Sequence, residues 1–410
     1  MSLPSVNIDI NSAPTSPDDS QDTTALLVTV DTGLVNSIAH LQTHVFYSEA
    51  QAIAQGITAA NDANSVILRH YHIAEFFRKN PKGKLHFLNI NGTAASVSDI
   101  GDIAVATADY IKTQNGEIKQ VAVAFNSQVA NFVDMLHGGT SSGGAVGFQS
   151  IADTLRDTDF KPVDVFFLEG SNVSNYPDFR AKNCPNVAIV LGNDLRFIDA
   201  GNQDFVGTAA VGTVLGCSTN KQLHQSFAWV GNKNNNLTDT TKDKFLDAAI
   251  FGLANVQNEP LSTLNVLETH GYIFPRVFPN ASGVYWVQSN NCVAKNSSIN
   301  STESVQVVNK AYRVLYQTLL PYINQTVTTT AQGRLTVGQR SLIENDIRNA
   351  INANLGDNIN ELALVLVDPA KDENNVAYPP FSSDNTLRAW VGIRLFNKAE
   401  QINVTLSVTR

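Results

Sequence analysis

Three places in the chain hold residue types that could do chemistry. The first is His70-Tyr71-His72 with Glu75 close behind. On a strand, an HxH pair shares one face and can hold a transition metal. Here Val66, Ile67, Ile73, Ala74 and Phe77 recur at helical spacing, so His70 and His72 point apart, and no matching carboxylate–histidine set accompanies them. No metal site is expected. The second is His137-Gly138-Gly139-Thr140-Ser141-Ser142-Gly143-Gly144. Backbone N–H groups of such a run can cradle a phosphate. The run lacks the Lys-Ser/Thr of a P-loop and the GxGxxG spacing, and it reads as a surface loop. The third is the scatter of His40, His44, His86, His224 and His270 among serines and aspartates. No GxSxG elbow pairs a nucleophile with a base. The residues therefore specify no catalytic site and no cofactor. An α/β enzyme or nucleotide-binding protein using residues 138–144 is the alternative reading.

The bulk properties agree. The 410 residues suffice for two or three domains, and 43% hydrophobic with 16% charged residues describes a folded chain. A formal net charge of −9 argues against a partner that is nucleic acid. No apolar stretch approaches the roughly 20 residues a membrane span needs, so no membrane insertion is expected. Cys184, Cys217 and Cys292 form no CxxC pair and sit in apolar surroundings, which fits synthesis in a reducing cytoplasm. No signal peptide opens the chain, so the eight N-x-[ST] triplets are read as chance matches in an Asn-rich sequence.

The elements that position these residues alternate. Apolar runs at Ala25–Val30, Leu85–Ile90, Gln120–Phe125, Val163–Leu168 and Asn186–Leu191 read as strands. Helical periodicity fills Ser48–Ile57, Asn64–Arg78, Ser98–Thr113 and Ile151–Asp157 between them. This rhythm predicts an α/β body with a partly parallel sheet. Val206–Leu215, rich in Gly and Ala, reads as a closely packed helix, and Leu264–Pro279 and Val284–Val287 as β structure. Two amphipathic helices follow, one carrying Val305, Val308, Tyr312, Leu315 and Leu319, the other Ile343, Ile347, Ile351 and Leu355. Leu362–Val367 reads as a buried strand and Leu387–Leu395 as an alternating one.

Both ends read as strands without a local partner. Val6, Ile8 and Ile10 alternate with polar residues, as do Ile402, Val404, Leu406 and Val408. A strand at a terminus needs a neighbour for its backbone and its apolar side. If that neighbour is another subunit, the chain is a building block joined by strand addition. The expected layout is an N-terminal strand arm and linker (1–24), an α/β body (25–262) with a possible inserted outer domain near 126–236, a C-terminal α/β domain (263–395) and a C-terminal strand arm (396–410). The fold class is α/β (α+β), with mixed-sheet domains and extended arms.

The order of several segments resembles the tail sheath proteins of contractile phage tails and contractile injection systems. The segments are Leu3-Pro4-Ser5-Val6-Asn7-Ile8, Ala25–Gly33 with Ser48–Ile57, and Ala74–Phe77 before Lys84–Leu88. Further along come Gly271-Tyr272-Ile273-Phe274-Pro275-Arg276, Gly283-Val284-Tyr285-Trp286 and Asn309–Arg313. Gly333-Arg334-Leu335, a helix ending at Gly356 and Val365–Asp368 complete the series. The stretch from about Asn126 to Asn236 resembles the family only in its α/β rhythm.

The resemblance implies a non-enzymatic subunit of a helical homo-oligomer. It would surround an inner tube, meet baseplate and tail terminator proteins, and contract to drive the tube through an envelope. Such a particle is a virion tail or injection system assembled in the bacterial cytoplasm. The linker 12–24 and the turn Phe396–Gln401 would be hinges. Lys310, Arg313, Arg334, Arg340 and Arg348 form a candidate tube-facing stripe. A non-contractile structural lattice protein would share the arms but have one fixed state.

Overall fold

Five apolar runs without polar alternation form the centre of one sheet, as strands covered on both faces must. The computed structural model describes residues 24–31, 41–62, 67–91, 97–125, 136–137, 147–170, 176–194, 208–250, 256–372 and 375–398. The two terminal segments expected to be strands, and residues 138–144, lie outside these. The strands of the body are β1 (Thr24–Asp31), β2 (Gln42–Phe46), β3 (Lys84–Asn91), β4 (Gln120–Ala124), β5 (Val165–Glu169), β6 (Val187–Val190), β7 (Gly192–Asp194), β8 (Ala248–Ile250), β9 (Tyr272–Ile273), β10 (Pro275–Val277) and β11 (Val284–Trp286). Its helices are α1 (Glu49–Ala54), α2 (Ala59–Asp62), α3 (Arg69–Lys79), α4 (Val97–Thr113), α5 (Phe148–Asp157), α6 (Val211–Thr219) and α7 (Leu261–Thr269). The C-terminal part adds α8 (Thr302–Leu319), α9 (Val337–Leu355), β12 (Glu361–Val367), α10 (Phe381–Asp384) and β13 (Ala389–Arg394).

Among the described residues the main sheet has seven strands in the order β2-β3-β1-β4-β5-β6-β9. Only the β2–β3 pair is antiparallel; the others run parallel. β5 and β6, both within residues 126–236, are interior strands of this sheet. Helix α6 is buried along its length, lying on β1, β4 and β5, with α3 packed on α6 in turn.

The apolar interior is in two parts. The first runs from Ala25 to Cys292 and takes in Tyr272, Ile273 and Trp286, well past residue 262. The second is built from Val307, Ala311, Val314 and Leu315 of α8, the four-residue steps Ile343, Ile347, Ile351 and Leu355 of α9, Val365 and Val367 of β12, and Leu223 and Leu395. Helix α8 is the wall between them. Its Tyr312 hydroxyl donates to the Arg156 carbonyl (2.8 Å), and Asn309 Nδ2 donates to the Val163 carbonyl (3.0 Å).

Two expectations need correction. Residues 264–269 are the last six residues of α7, not β structure. Pro260 starts the helix, Leu264 and Leu267 bury one side at three-residue spacing, and Gly271 at φ 91° ends it, so the β run begins only at Tyr272. Leu362–Val367 is a strand but not a buried one: Leu364 is 43% exposed, because among the described residues β12 has a single partner strand and one covered face.

Candidate functional site

The feature that looks unfinished in the subunit is the β12–β13 ribbon. The strands pair antiparallel, with Val365 opposite Val391 and Val367 opposite Ala389, and a register shift between Leu362 and Leu364. Alternation sends Val365 and Val367 onto α9 while Leu364, Leu366 and Trp390 face outward. Among the described residues no third strand joins either edge. A two-stranded ribbon is marginal by itself in water.

The two edges differ. Val367 N–H donates to Glu344 Oε1 (3.0 Å) and Arg348 Nη2 donates to the Val365 carbonyl (3.1 Å). Two side chains of α9 thus occupy the outward backbone groups of β12. Asp368 N–H bonds the Arg388 carbonyl (2.8 Å), which sets the phase of the ladder. The same phase turns the N–H and C=O of Ala389 and Val391 away from β12. Among the described residues no strand meets them there.

The basic residues singled out from sequence do not share one surface role. Arg313 Nη1 lies 2.8 Å from Asp164 Oδ1, whose side chain is fully buried. Arg334 Nη1 pairs with Asp368 Oδ1 (3.0 Å) and Nη2 donates to the Tyr378 carbonyl (2.7 Å). The Leu335 N–H donates to the other Asp368 oxygen (2.8 Å), so this clamp ties the start of α9 to the end of β12. Arg348 holds the β12 edge. Lys310 and Arg340 are half-buried on α8 and α9.

The root of the C-terminal segment is held in a polar box that sequence reasoning did not find. Lys398 Nζ is 2.7 Å from Glu303 Oε1 and 3.1 Å from Ser289 Oγ. Burial alone would raise the Glu303 carboxyl, but Lys398 and Lys221 beside it hold it below its usual range. Lys221 donates to Gln306 Oε1 (2.8 Å) and the Leu223 carbonyl (3.2 Å), and burial brings its pKa down to about 8 against the pull of Glu303. Lys398 reads as a surface cation and Glu303 as a first-turn helix acid. No sequence signal links them.

The HxH residues separate as helical geometry requires. His70 Nε2 faces Glu49 (3.4 Å), while His72 is buried beneath α6, where Gly212 N–H approaches its Nδ1 (3.4 Å). Among the described residues no group of three potential ligands could hold a metal. No described helix is long and apolar enough to cross a membrane.

The mixed α/β body, the helix α8 between the two cores and the two-stranded C-terminal ribbon make a fold shared with sheath proteins of contractile systems. No protein-family model and no curated protein matches the chain by sequence. Solved structures match it along nearly its whole length. The helical sheath of the anti-feeding prophage in the contracted state superposes with a TM-score of 0.59 at 12% identity, covering 99% of both chains. The sheath complex of the extracellular contractile injection system PVC, also contracted, gives 0.55 at 10% identity over 99% of this chain and 98% of that one. The sheath tail protein of Desulfitobacterium hafniense gives 0.50 at 11% identity over 96% of this chain and 100% of that one. At such identities the agreement is one of fold.

Proposed function

We propose that the chain is the structural subunit of a contractile sheath, polymerising helically around an inner tube and contracting to drive that tube through a target envelope. Copies are linked by strand addition through Val6, Ile8 and Ile10 at one end and Ile402, Val404, Leu406 and Val408 at the other. The observation that carries this reading is the ribbon: two strands, one covered face, and an outer edge at Ala389 and Val391 that no described strand occupies. An added strand would complete its hydrogen bonding. The shared fold with sheath proteins solved in contracted assemblies supports it. Head-to-tail joining that does not close yields the required helix. Tube, baseplate and terminator proteins are the expected partners. The candidate tube-facing residues are Lys310, Arg313, Arg334, Arg340 and Arg348, of which Arg313, Arg334 and Arg348 also make bonds within the subunit.

Electron microscopy of the purified chain tests the proposal. Sleeves or stacked rings are expected, with two diameters if the lattice contracts. Removing residues 1–11 or 402–410 should leave a folded monomer that does not assemble. Regular tubes from either truncation would overturn the linkage, and a single invariant diameter would favour a static lattice.

A further inference from the structure

The residues just ahead of position 399 are fixed to three different parts of their own subunit. Leu395 is buried in the second core. Phe396 lies over the His224 ring, centroids 5.4 Å apart, and His224 Nδ1 is 2.7 Å from Asn358 Oδ1. Lys398 enters a box whose walls are already bonded to each other. Ser289 Oγ donates to Glu303 Oε1 (2.8 Å) and lies 3.0 Å from Ser226 Oγ, while Thr302 Oγ1 donates to Glu303 Oε2 (3.2 Å). Glu303 and Ser289 are buried. A lysine held only by water would leave Glu303 without its nearest countercharge, and a buried carboxylate without a partner is costly.

We propose that Lys398 is a positioning residue for assembly: its bond to Glu303 pins the chain to the subunit body, so that residues 399–410 always depart from one fixed point. This rests on the reading of those residues as the intersubunit strand. A strand lent to a neighbour transmits displacement only if its near end cannot slip. If the chain peeled back through Lys398 and Phe396, each lost residue would lengthen the link by about 3.3 Å and let bodies drift apart. The pin also narrows the hinge expected over Phe396–Gln401: freedom between linked bodies begins after Lys398.

The test uses the full chain and E303Q, which keeps size and leaves Lys398 as a trypsin target. Under native conditions cleavage after Lys398 is followed by mass spectrometry, with Arg394, whose side chain is 58% exposed, as the reference site. Cleavage after Lys398 relative to Arg394 should rise about tenfold in E303Q, tracking the opened population, and amide protection over 395–398 should fall with it. Equal cleavage in wild type and E303Q would overturn the pin. If E303Q does not fold, K398Q replaces it with exchange over 395–398 as the readout, and protection within about twofold of wild type would overturn the proposal. Micrographs separate the two claims. Wild-type sleeves with short or irregular E303Q sleeves support both, and unchanged E303Q sleeves overturn the role in assembly. If wild type forms no sleeves, the sheath reading fails while the digestion still decides the pin.

Discussion

Gly212 of α6 lies directly against the backbone of His72 on α3. A Cβ at Gly212 would stand 2.6 Å from the His72 Cα, and one at Gly216, a turn later, 2.7 Å from the Phe76 carbonyl oxygen. The two helices touch backbone to backbone because these positions carry no side chain, and α6 is thereby held between α3 and the sheet. The atoms in the way are main chain and cannot rotate aside. Gly212→Ala is therefore expected to destabilise the fold by about 1–3 kcal/mol through overpacking, despite the better helix propensity of alanine. The urea midpoint measures it. A stabilised G212A would mean that α3 and α6 are not in this contact.

Acid should weaken the body through two histidines. Burial pushes His72 down to about 3, and burial, with Lys84 adding to it, pushes His86 to about 4. The folded chain refuses protons that the unfolded chain accepts near the ordinary 6.5. Their stabilising contribution is complete above pH 6.5 and is lost as pH falls from there, down to about 4 for His86 and about 3 for His72. Asp62 works the other way: burial raises it to about 6, so between roughly pH 6 and 4 it favours the fold as pH drops. Two depressed histidines outweigh one raised carboxyl. The expected outcome is a melting temperature that falls between pH 6.5 and 4.5, with a shallower fall in His86→Gln. A flat profile would contradict the burial of these rings.

The Arg313–Asp164 pair joins α8 to the segment leading into β5, and so joins the two cores. Removing only the cation leaves Asp164 buried and charged, a change that typically costs about 3–5 kcal/mol. Arg313→Met is expected to lose that much, and R313M/D164N to recover most of it. A tube-facing arginine exposed on the monomer would behave differently: its substitution would leave monomer stability alone. Denaturation of the single and double variants distinguishes the two roles.

The sequence carried the body well because strands covered on both faces take few polar residues: ALLVTV and VFFL are legible as strands from composition alone. It carried the C-terminal part less well. Leu264, Val266 and Leu267 sit next to a true β run, and only Pro260 and Gly271 mark where the helix starts and stops. LALVLV reads as buried, yet exposure depends on whether other strands cover it, which is not a property of the segment. The arginines at 313, 334 and 348 look like a surface cluster because their partners, Asp164, Asp368 and the Val365 carbonyl, are remote in sequence or belong to the backbone. Lys398 and Glu303 were missed for the same reason.

Arg348 and Glu344 make a last relationship testable. An open strand edge invites pairing with any other edge, and charged side chains laid over it are one of the usual defences. Here the defence is asymmetric: the β12 edge is occupied by Arg348 at the Val365 carbonyl and by Glu344 at the Val367 N–H, while the backbone of Ala389 and Val391 on β13 faces outward. Removing both guards should do little to the core, because Ile343, Ile347 and Ile351 bind α9 to the ribbon independently. It should open a second edge. E344A/R348A is therefore expected to keep a melting temperature close to wild type but to associate without order, seen as rising light scattering in a chain truncated after Lys398, where ordered assembly is absent. Replacing Val391 by proline acts on the other edge. It removes an outward N–H without breaking the β12–β13 ladder and should block ordered assembly in the full chain. Were the proline variant to assemble normally, β12 would be the accepting edge, and Arg348 and Glu344 would be groups that yield to the incoming strand rather than exclude it.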